Sequence, residues 1–157
     1  LMWAPRFGSR DRTRSVRRYL APLIILSSLV LIVFYPRLES VPNEPTNKVE
    51  FSLEQLNFHR AAGRQVFVNI TADWCLTCKF NEINVLSNAK VITAFESTGT
   101  VYMQGDWTLP SKEIEDFLTT QGRAGIPFYG VFYAAKRAKK GMILPELLTQ
   151  GMVLKAL

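Results

Sequence analysis

A pair of cysteines, Cys75 and Cys78, follows an apolar segment of this chain after a short polar turn. They are its only cysteines, and they occur in the sequence Trp-Cys-Leu-Thr-Cys-Lys. A Cys-x-x-Cys pair can change between dithiol and disulfide with little backbone movement, so it forms a two-electron redox site within one short segment. Residues 66–70, Val-Phe-Val-Asn-Ile, predict a strand before the pair, and the residues after it can be helical.

The position of Cys75 at the start of a helix predicts which cysteine attacks. A helix N-terminus stabilises negative charge, so we expect the pKa of the Cys75 thiol to fall and its thiolate to form readily. The thiolate would form a mixed disulfide with a partner, and Cys78, one turn into the helix, would then resolve it. Lys79 adds positive charge nearby, and we expect it to point to solvent.

Other uses of two cysteines need residues that the sequence does not offer. A zinc site needs two more ligands, and the only histidine, His59, lies far upstream. Covalent haem attachment needs a histidine after the second cysteine, where Lys79 stands. A structural disulfide that closes so small a loop would add little stability. We therefore expect a redox pair that uses no cofactor and no metal ion.

Nearly all of the net charge of +6 lies in the first 18 residues. Residues 1–18 carry six arginines and one acid, whereas the remainder of the chain holds 13 basic and 12 acidic side chains. A nucleic-acid-binding protein would instead spread basic residues over a folded face with base-stacking aromatics. The charge pattern argues against a nucleic-acid partner, and we interpret residues 1–18 as a basic cytoplasmic segment.

An uncharged apolar segment follows and predicts a transmembrane helix over residues 19–36. As a helix, residues 19–35 would span about 25 Å, slightly less than a hydrocarbon core of about 30 Å. Tyr19 and Tyr35 lie at its ends, where aromatic side chains favour the interface, and the preceding arginines place its N-terminal side in the cytoplasm. A signal peptide also fits the basic start, but the residues after Tyr35 form a poor cleavage site. A buried soluble helix is the remaining interpretation.

The chain begins with Leu1 and not with methionine. We expect either an unusual start codon or the end of a longer protein, in which residues 19–36 would be the last of several membrane spans.

A single domain is predicted over residues 51–157, after a polar, proline-containing linker over residues 37–50. Ser52 is placed to cap a first helix that Gly63 ends, and residues 66–71 form a central strand because they are apolar on both faces. Further helices are expected at 79–84, 88–97 with Ser87 as its cap, 112–121 with Ser111 as its cap, and from Thr149 to the end. Further strands are expected at 100–106, 128–133 and 142–144.

The order of these elements indicates an α/β fold. Strands joined by helical crossovers should be parallel, and the final hairpin should be antiparallel. We therefore predict a mixed four-stranded sheet with helices on both faces. Ile126 and Pro127 lie in the loop before the strand at 128–133, where an X-Pro bond can be cis, although sequence periodicity alone favours trans.

Together these residues resemble the thioredoxin superfamily, in which a strand, Trp-Cys-x-x-Cys-Lys and a later Ile-Pro before a strand follow in this order. The chain is similar in particular to the C-terminal domain of DsbD-type thiol:disulfide interchange proteins. The likeness covers about residues 51–157, and the residues that carry it are 67–82, 105–108 and 144–149. It implies a thioredoxin-like fold, a protein-disulfide reductase activity and a redox disulfide between Cys75 and Cys78.

The resemblance also implies roles for other residues. In that superfamily the proline that matches Pro127, here preceded by Ile126, is cis, faces the cysteines and helps to bind the backbone of the partner. Trp74 is expected to shield the pair, with simple core packing as the alternative.

The sequence departs from that superfamily at Asn69. Thioredoxins and many DsbD-type domains carry a buried acid there, which assists proton transfer to and from the resolving cysteine, and asparagine cannot titrate. Glu82 matches an acidic position close to the pair in DsbD-type domains. Our hypothesis is that Glu82, or water, handles the proton, and the alternative is that Glu82 is an ordinary exposed helix residue.

In DsbD-type proteins a multi-span membrane domain takes electrons from cytoplasmic thioredoxin and passes them to this periplasmic domain. The resemblance implies a domain that faces the periplasm at a bacterial inner membrane, with lipid around its span. Its donor would be a multi-span membrane protein, in the same or another chain, and its acceptors would be periplasmic proteins that carry disulfides. The alternatives are a freestanding membrane-anchored thioredoxin for cytochrome c maturation and a non-enzymatic chaperone or thiolate metal-binding module.

Overall fold

The computed structural model describes residues 44–137 and 140–157, together with Ser27. The predicted basic segment, and the predicted membrane helix apart from Ser27, lie outside the described residues. Within the described part of the chain, no helix is long and apolar enough to cross a membrane.

The described residues form five strands, five α-helices and one π-helical turn. The strands are β1 (Lys48–Glu50), β2 (Val66–Thr71), β3 (Val101–Asp106), β4 (Phe128–Phe132) and β5 (Met142–Ile143). The helices are α1 (Leu53–Ala61), α2 (Leu76–Asn81), α3 (Ala89–Thr98), α4 (Lys112–Thr120) and α5 (Gln150–Ala156), and a π-helical turn (Glu82–Leu86) continues α2.

The strands form one mixed sheet in the order β1-β3-β2-β4-β5. β3 runs parallel to both β1 and β2, whereas β4 runs antiparallel to β2 and to β5. The prediction of a four-stranded sheet is therefore wrong by one strand. The additional strand, β1, lies within the predicted linker over residues 37–50. Lys48, Val49 and Glu50 are held by backbone pairing with β3 at the sheet edge, so their side chains carry no strand pattern that the sequence could reveal.

Alternate residues of β2 point into two hydrophobic cores, one on each face of the sheet. Val66, Val68 and Ile70 pack with side chains of α1 and α4. Phe67 packs on the other face, where its ring lies 5.1 Å from that of Phe95 in α3. All residues of β2 are buried, which confirms the prediction of a central strand covered by helices.

Three of the four predicted helix N-caps are confirmed. The side chains of Ser52, Ser111 and Thr149 each accept a backbone N–H from the first turn of α1, α4 and α5.

The cap of α3 is Asn88 and not the predicted Ser87. The Asn88 side chain accepts the N–H of Lys90 over 3.0 Å, whereas the Ser87 hydroxyl donates to the Ile83 carbonyl over 2.6 Å. The reason is that the π-helical turn carries the preceding helix on to Leu86, so Ser87 lies at the end of that helix.

The sheet brings the cysteine segment and the Ile126-Pro127 loop together. In the antiparallel register of β2 and β4, Ile70 lies opposite Phe128, so the end of β2 lies beside the start of β4. The chain leaves β2 towards Cys75 and enters β4 from Pro127. Two segments about 50 residues apart in sequence therefore meet at one end of the sheet.

Candidate active site

Cys75 and Cys78 form a disulfide at the start of α2, with an S–S distance of 2.02 Å and a Cα–Cα distance of 5.2 Å. Cys75 keeps 7% of its surface exposed, whereas Cys78 is fully buried. A partner can therefore approach the sulfur of Cys75 but not that of Cys78.

Cys75 is also the N-cap residue of α2, and its sulfur accepts the backbone N–H of Cys78 over 3.2 Å. In the disulfide this acceptor is a neutral sulfur, and after reduction the same atom would be a thiol or a thiolate. A backbone N–H that points at the sulfur favours the thiolate, because a hydrogen bond to the charged form stabilises it. The geometry thus favours Cys75 as the nucleophile.

The Ile126-Pro127 peptide bond is cis. Ile126 is partly buried and packs against Ala72, Cys75 and Cys78, and Pro127 is buried beside it. The loop before β4 thus lies against the cysteine pair and forms one side of the site.

Trp74 lies at the surface beside the pair, with 60% of its area exposed, so core packing is the wrong interpretation of this residue. Its indole Nε1 donates to the Thr108 carbonyl over 3.3 Å, and the Asp73 N–H donates to the Thr108 hydroxyl over 2.9 Å. The turn before Cys75 is therefore attached to the loop that follows β3.

Asp106 in turn holds Thr108. Its Oδ1 accepts the Thr108 N–H over 2.8 Å and the Thr108 hydroxyl over 2.5 Å. These two hydrogen bonds are the main reason why the pKa of Asp106 lies below its usual value, and the charge of Lys79 adds to them against a small opposing effect of burial. Residues 105–108 were indicated in the sequence only by resemblance, and the structure shows that Asp106 and Thr108 hold the turn before Cys75.

Asn69 lies fully buried in β2, where its Nδ2 donates to the Tyr102 hydroxyl oxygen over 2.9 Å. Its Oδ1 has no hydrogen-bond partner among the described residues. Burial raises the pKa of Tyr102 far above its usual value although the hydrogen bond from Asn69 opposes this, so the phenol stays neutral at physiological pH. Neither member of this pair exchanges a proton in the neutral range.

Glu82 opens the π-helical turn, and its side chain keeps only 20% of its surface exposed. Its Oε1 accepts a hydrogen bond of 2.7 Å from the Thr71 hydroxyl, and its Oε2 lies 3.5 Å from Lys79 Nζ. The alternative of an ordinary exposed helix residue is therefore wrong. Glu82 follows Cys78 by four residues, a spacing that places two side chains on the same helix face.

Lys79 does not simply point to solvent. Its Nζ lies 3.2 Å from Asp73 Oδ1 as well as 3.5 Å from Glu82 Oε2. Partial burial lowers the pKa of Lys79, but the hydrogen bonds and charges of Asp73 and Glu82 outweigh it and raise the pKa above its usual value. The ammonium group stays charged and links the turn before Cys75 to the carboxylate of Glu82.

Asn81 is a structural residue of the site that was not predicted from the sequence. It is fully buried, and its Nδ2 donates to the Tyr129 hydroxyl oxygen over 3.0 Å and to the Glu146 carbonyl over 2.7 Å, while its Oδ1 accepts the Leu148 N–H over 3.1 Å. Burial raises the pKa of Tyr129 to about 12. The only signal in the sequence was an asparagine, a poor helix former, inside a predicted helix.

The described residues contain no group of three or more histidine, cysteine, aspartate or glutamate side chains that could hold a metal ion. His59 is buried in α1, where its ring lies beside Phe58.

Comparison with known proteins gives one family match and a group of similar folds. A sequence model of the thioredoxin-like family matches residues 49–135. No curated protein sequence matches the chain. Solved structures with a similar fold include the C-terminal domain of Neisseria meningitidis DsbD and a thioredoxin from Thermus thermophilus.

The reduced form of that DsbD domain has a TM-score of 0.55 and 18% identity, over 68% of this chain and 95% of the domain. The oxidised form has a TM-score of 0.53 and 19% identity, over 66% of this chain and 91% of the domain. The Thermus thermophilus thioredoxin has a TM-score of 0.54 and 19% identity, over 70% of this chain and 84% of that protein. At these identities the likeness shows a shared fold.

Proposed function

This chain belongs to the thioredoxin-like family, and on that basis we propose that it is a thiol:disulfide oxidoreductase that reduces disulfides in proteins. The observation that carries the proposal is the Cys75–Cys78 disulfide at the start of α2, with an accessible outer sulfur and a buried inner one. A purely structural disulfide would have no need of that asymmetry.

The reaction needs only the two thiols. In the reduced protein the Cys75 thiolate attacks one sulfur of the partner disulfide, and the other partner sulfur leaves as a thiolate that takes up a proton. Cys78 then loses its proton and attacks Cys75, which releases the second partner thiolate and restores the Cys75–Cys78 disulfide. Two electrons pass from the dithiol to the partner.

The surface around Cys75 supports a protein as the partner. Trp74 and Leu76 flank the cysteine with 60% and 84% of their surface exposed. Ile126 and Pro127 form the adjoining side. Large exposed apolar residues beside a reactive sulfur fit an extended apolar contact, which a small thiol such as glutathione would not fill.

We further propose that Glu82 accepts the proton of Cys78. Asn69, which cannot titrate, stands where thioredoxins carry a buried acid. Glu82 follows Cys78 by four residues, a spacing that places both side chains on one helix face, and its side chain is only 20% exposed.

The finer assignment is a DsbD-type domain at a bacterial inner membrane. The predicted span over residues 19–36, the cytoplasmic side given by the preceding arginines and the DsbD-like motifs support it. In this proposal the domain faces the periplasm, where disulfides persist. It receives electrons from a multi-span membrane donor and reduces periplasmic disulfide-bearing proteins.

Trapping the mixed disulfide tests the function. The full chain in detergent is reduced and mixed with insulin, which serves as a protein disulfide. Wild type should cleave the insulin disulfides, Cys78→Ser should form a covalent adduct on a non-reducing gel, and Cys75→Ser should form none. A wild-type protein that leaves insulin intact would falsify the proposal.

The reduction potential tests the direction of electron flow. Potentials of this fold range from about −270 to about −120 mV, and equilibration with glutathione redox buffers measures where this pair lies. A reductase should lie towards the negative end. A potential of about −120 mV, at the oxidising end of that range, would mean that the domain oxidises its partners instead of reducing them.

A further inference from the structure

Thr71, the last residue of β2, contacts the Glu82 carboxylate, which is the proposed acceptor of the Cys78 proton. Its hydroxyl donates a hydrogen bond to Glu82 Oε1 over 2.7 Å. The second carboxylate oxygen, Oε2, lies 3.5 Å from Lys79 Nζ. Each oxygen of Glu82 thus has its own contact, one from the strand and one from the helix.

The Thr71 hydroxyl is held in a fixed place by the sheet. Thr71 is buried, it pairs with Asp106 in the register of β2 and β3, and its carbonyl accepts the Trp107 N–H over 2.7 Å. A hydroxyl has one hydrogen to donate, and here that hydrogen goes to Glu82. Because the backbone and the branched side chain leave little freedom, the strand determines where the carboxylate lies.

Lys79 is a poorer positioning group for the same carboxylate. Its ammonium ends a flexible side chain, is partly exposed and is shared with Asp73. Its distance of 3.5 Å from Glu82 also exceeds that of the Thr71 hydrogen bond. Loss of Thr71 would therefore free the Glu82 side chain more than loss of Lys79.

The spacing of Glu82 along the helix places its carboxylate near the resolving cysteine, Cys78. Side chains four residues apart on a helix have Cβ atoms about 5–6 Å apart, and Cys78 and Glu82 have this spacing. We propose that Thr71 is a positioning residue, which holds the Glu82 carboxylate where it exchanges a proton with the Cys78 thiol. The inference rests on the proposed function of the cysteine pair.

The step that Thr71 assists begins with the mixed disulfide between Cys75 and the partner. The Cys78 thiol gives its proton to the Glu82 carboxylate, which becomes a carboxylic acid. The Cys78 thiolate then attacks Cys75 Sγ, a new Cys75–Cys78 bond forms, and the partner sulfur leaves with the bonding electrons. Glu82 later returns the proton to solvent or to the leaving thiolate.

The two thiol steps can be observed separately with the disulfide reagent 5,5′-dithiobis(2-nitrobenzoate). The first equivalent of coloured thiolate reports attack by Cys75, and the second reports attack by Cys78. Stopped-flow absorbance of the reduced full chain between pH 6 and pH 8 gives both rate constants. In wild type we expect the second to change little with pH, because a held carboxylate takes the proton.

The variants are Thr71→Val, Thr71→Ser, Glu82→Gln and the double variant Thr71→Val/Glu82→Gln. General acid–base catalysis is worth roughly 10²–10⁴-fold, and loss of positioning should remove on the order of tenfold of it. In Thr71→Val the second phase should be about tenfold slower at pH 6 and approach wild type as pH rises, and the first phase should be unchanged. Thr71→Ser should retain the wild-type rate, and the double variant should be no slower than Glu82→Gln.

Thr100→Val is the matched control, because Thr100 is also a fully buried threonine but bonds to Thr98. It should leave both phases unchanged. The inference is overturned if Thr71→Val behaves as wild type or Thr100→Val, or if its effect multiplies fully with that of Glu82→Gln. If wild type releases no second equivalent, the proposed function itself fails, which distinguishes the two results.

Discussion

The Asn69 amide of β2 donates a 2.9 Å hydrogen bond to the Tyr102 hydroxyl of β3, and both residues are buried. In the register of β2 and β3, Tyr102 lies opposite Phe67, so it is a diagonal neighbour of Asn69 on that face. Two groups that stay neutral at physiological pH therefore occupy this interior position.

An acid at position 69 should partly take over the proton transfer that is proposed for Glu82. Asn69→Asp places a buried carboxyl beside the Tyr102 hydroxyl, which can turn to donate to it, and burial should raise the pKa of that carboxyl towards neutral pH. In the Glu82→Gln background we expect Asn69→Asp to speed the second thiolate release by roughly tenfold. Stopped-flow rates of the two variants make the comparison.

The same substitution should cost stability. Burial of an imperfectly paired carboxyl costs about 1–3 kcal/mol, which urea unfolding at pH 7 measures.

The gain in rate has its own control. Adding Tyr102→Phe to Asn69→Asp/Glu82→Gln removes the donor to the new carboxyl and should abolish the gain in the rate of the second thiolate release. A double variant Asn69→Asp/Glu82→Gln as slow as Glu82→Gln alone would show that this interior position no longer communicates with Cys78.

Loss of the Asp106 carboxylate should loosen the turn that carries Trp74. Asp106 has a pKa below its usual value because Thr108 donates to it, so folding favours its ionised form. Its contribution to stability is present above the unfolded pKa of about 3.9 and is lost as pH falls through the lower pKa of the folded state. Wild type should therefore melt above Asp106→Asn at pH 6, and the difference should shrink towards pH 3.

Thermal melting of both proteins across that range checks the prediction. Asp116→Asn is the control, since Asp116 forms an exposed ion pair with Lys112 on α4. A gap between wild type and Asp106→Asn that stays constant from pH 6 to pH 3 would contradict the role of its charge.

Stability should also fall as pH decreases through the range of histidine. His59 is buried and its pKa is lowered, mainly by burial and further by the Arg64 charge, so the unfolded chain binds a proton more readily than the folded one. The contribution of neutral His59 is complete above the unfolded pKa of about 6.5 and is lost progressively below it.

His59 is the only histidine in the chain, which makes the measurement specific. We expect the melting temperature of wild type to decrease from pH 7 to pH 5 and that of His59→Leu to change much less. Equal slopes for the two proteins would assign the pH dependence to other groups.

Gly105→Ala should destabilise the sheet next to the site. A Cβ at Gly105 would lie 2.7 Å from Ile70 Cδ1 and 3.1 Å from Phe51 Cβ. The Ile70 methyl can move, but Phe51 Cβ is attached to the backbone, so we expect a loss of about 1–3 kcal/mol in the free energy of unfolding.

Gly151→Ala in α5 is the matched control, because nothing lies within 4 Å of its added Cβ. It should stabilise the protein by about 0.4–1 kcal/mol, since alanine loses less backbone entropy on folding. Urea unfolding of the two variants gives both values. A neutral Gly105→Ala would mean that Phe51 and Ile70 repack without cost.

Much of the fold could be predicted because its signals are local. Each of these signals depends on residues that are close in sequence. They are the apolar run in β2, the hydroxyl caps of α1, α4 and α5, and the cysteine at the start of α2. β1 could not be predicted in this way, because only hydrogen bonds to β3 make it a strand. Asn88 replaces Ser87 as a cap for a similar reason, since the π-helical turn forms in the packed structure.

Sequence patterns alone predict two cysteines in the first turn of a helix, and they place Asn69 where thioredoxins carry a buried acid. The surroundings of the two cysteines depend instead on long-range packing. Thr71 and Glu82 are 11 residues apart, and Ile126 is about 50 residues from the cysteines that it contacts. The Ile126 contact arises because the sheet brings the ends of β2 and β4 together, and the Thr71–Glu82 contact arises because the helix after Cys75 folds back beside the end of β2. No local pattern of side chains specifies either contact.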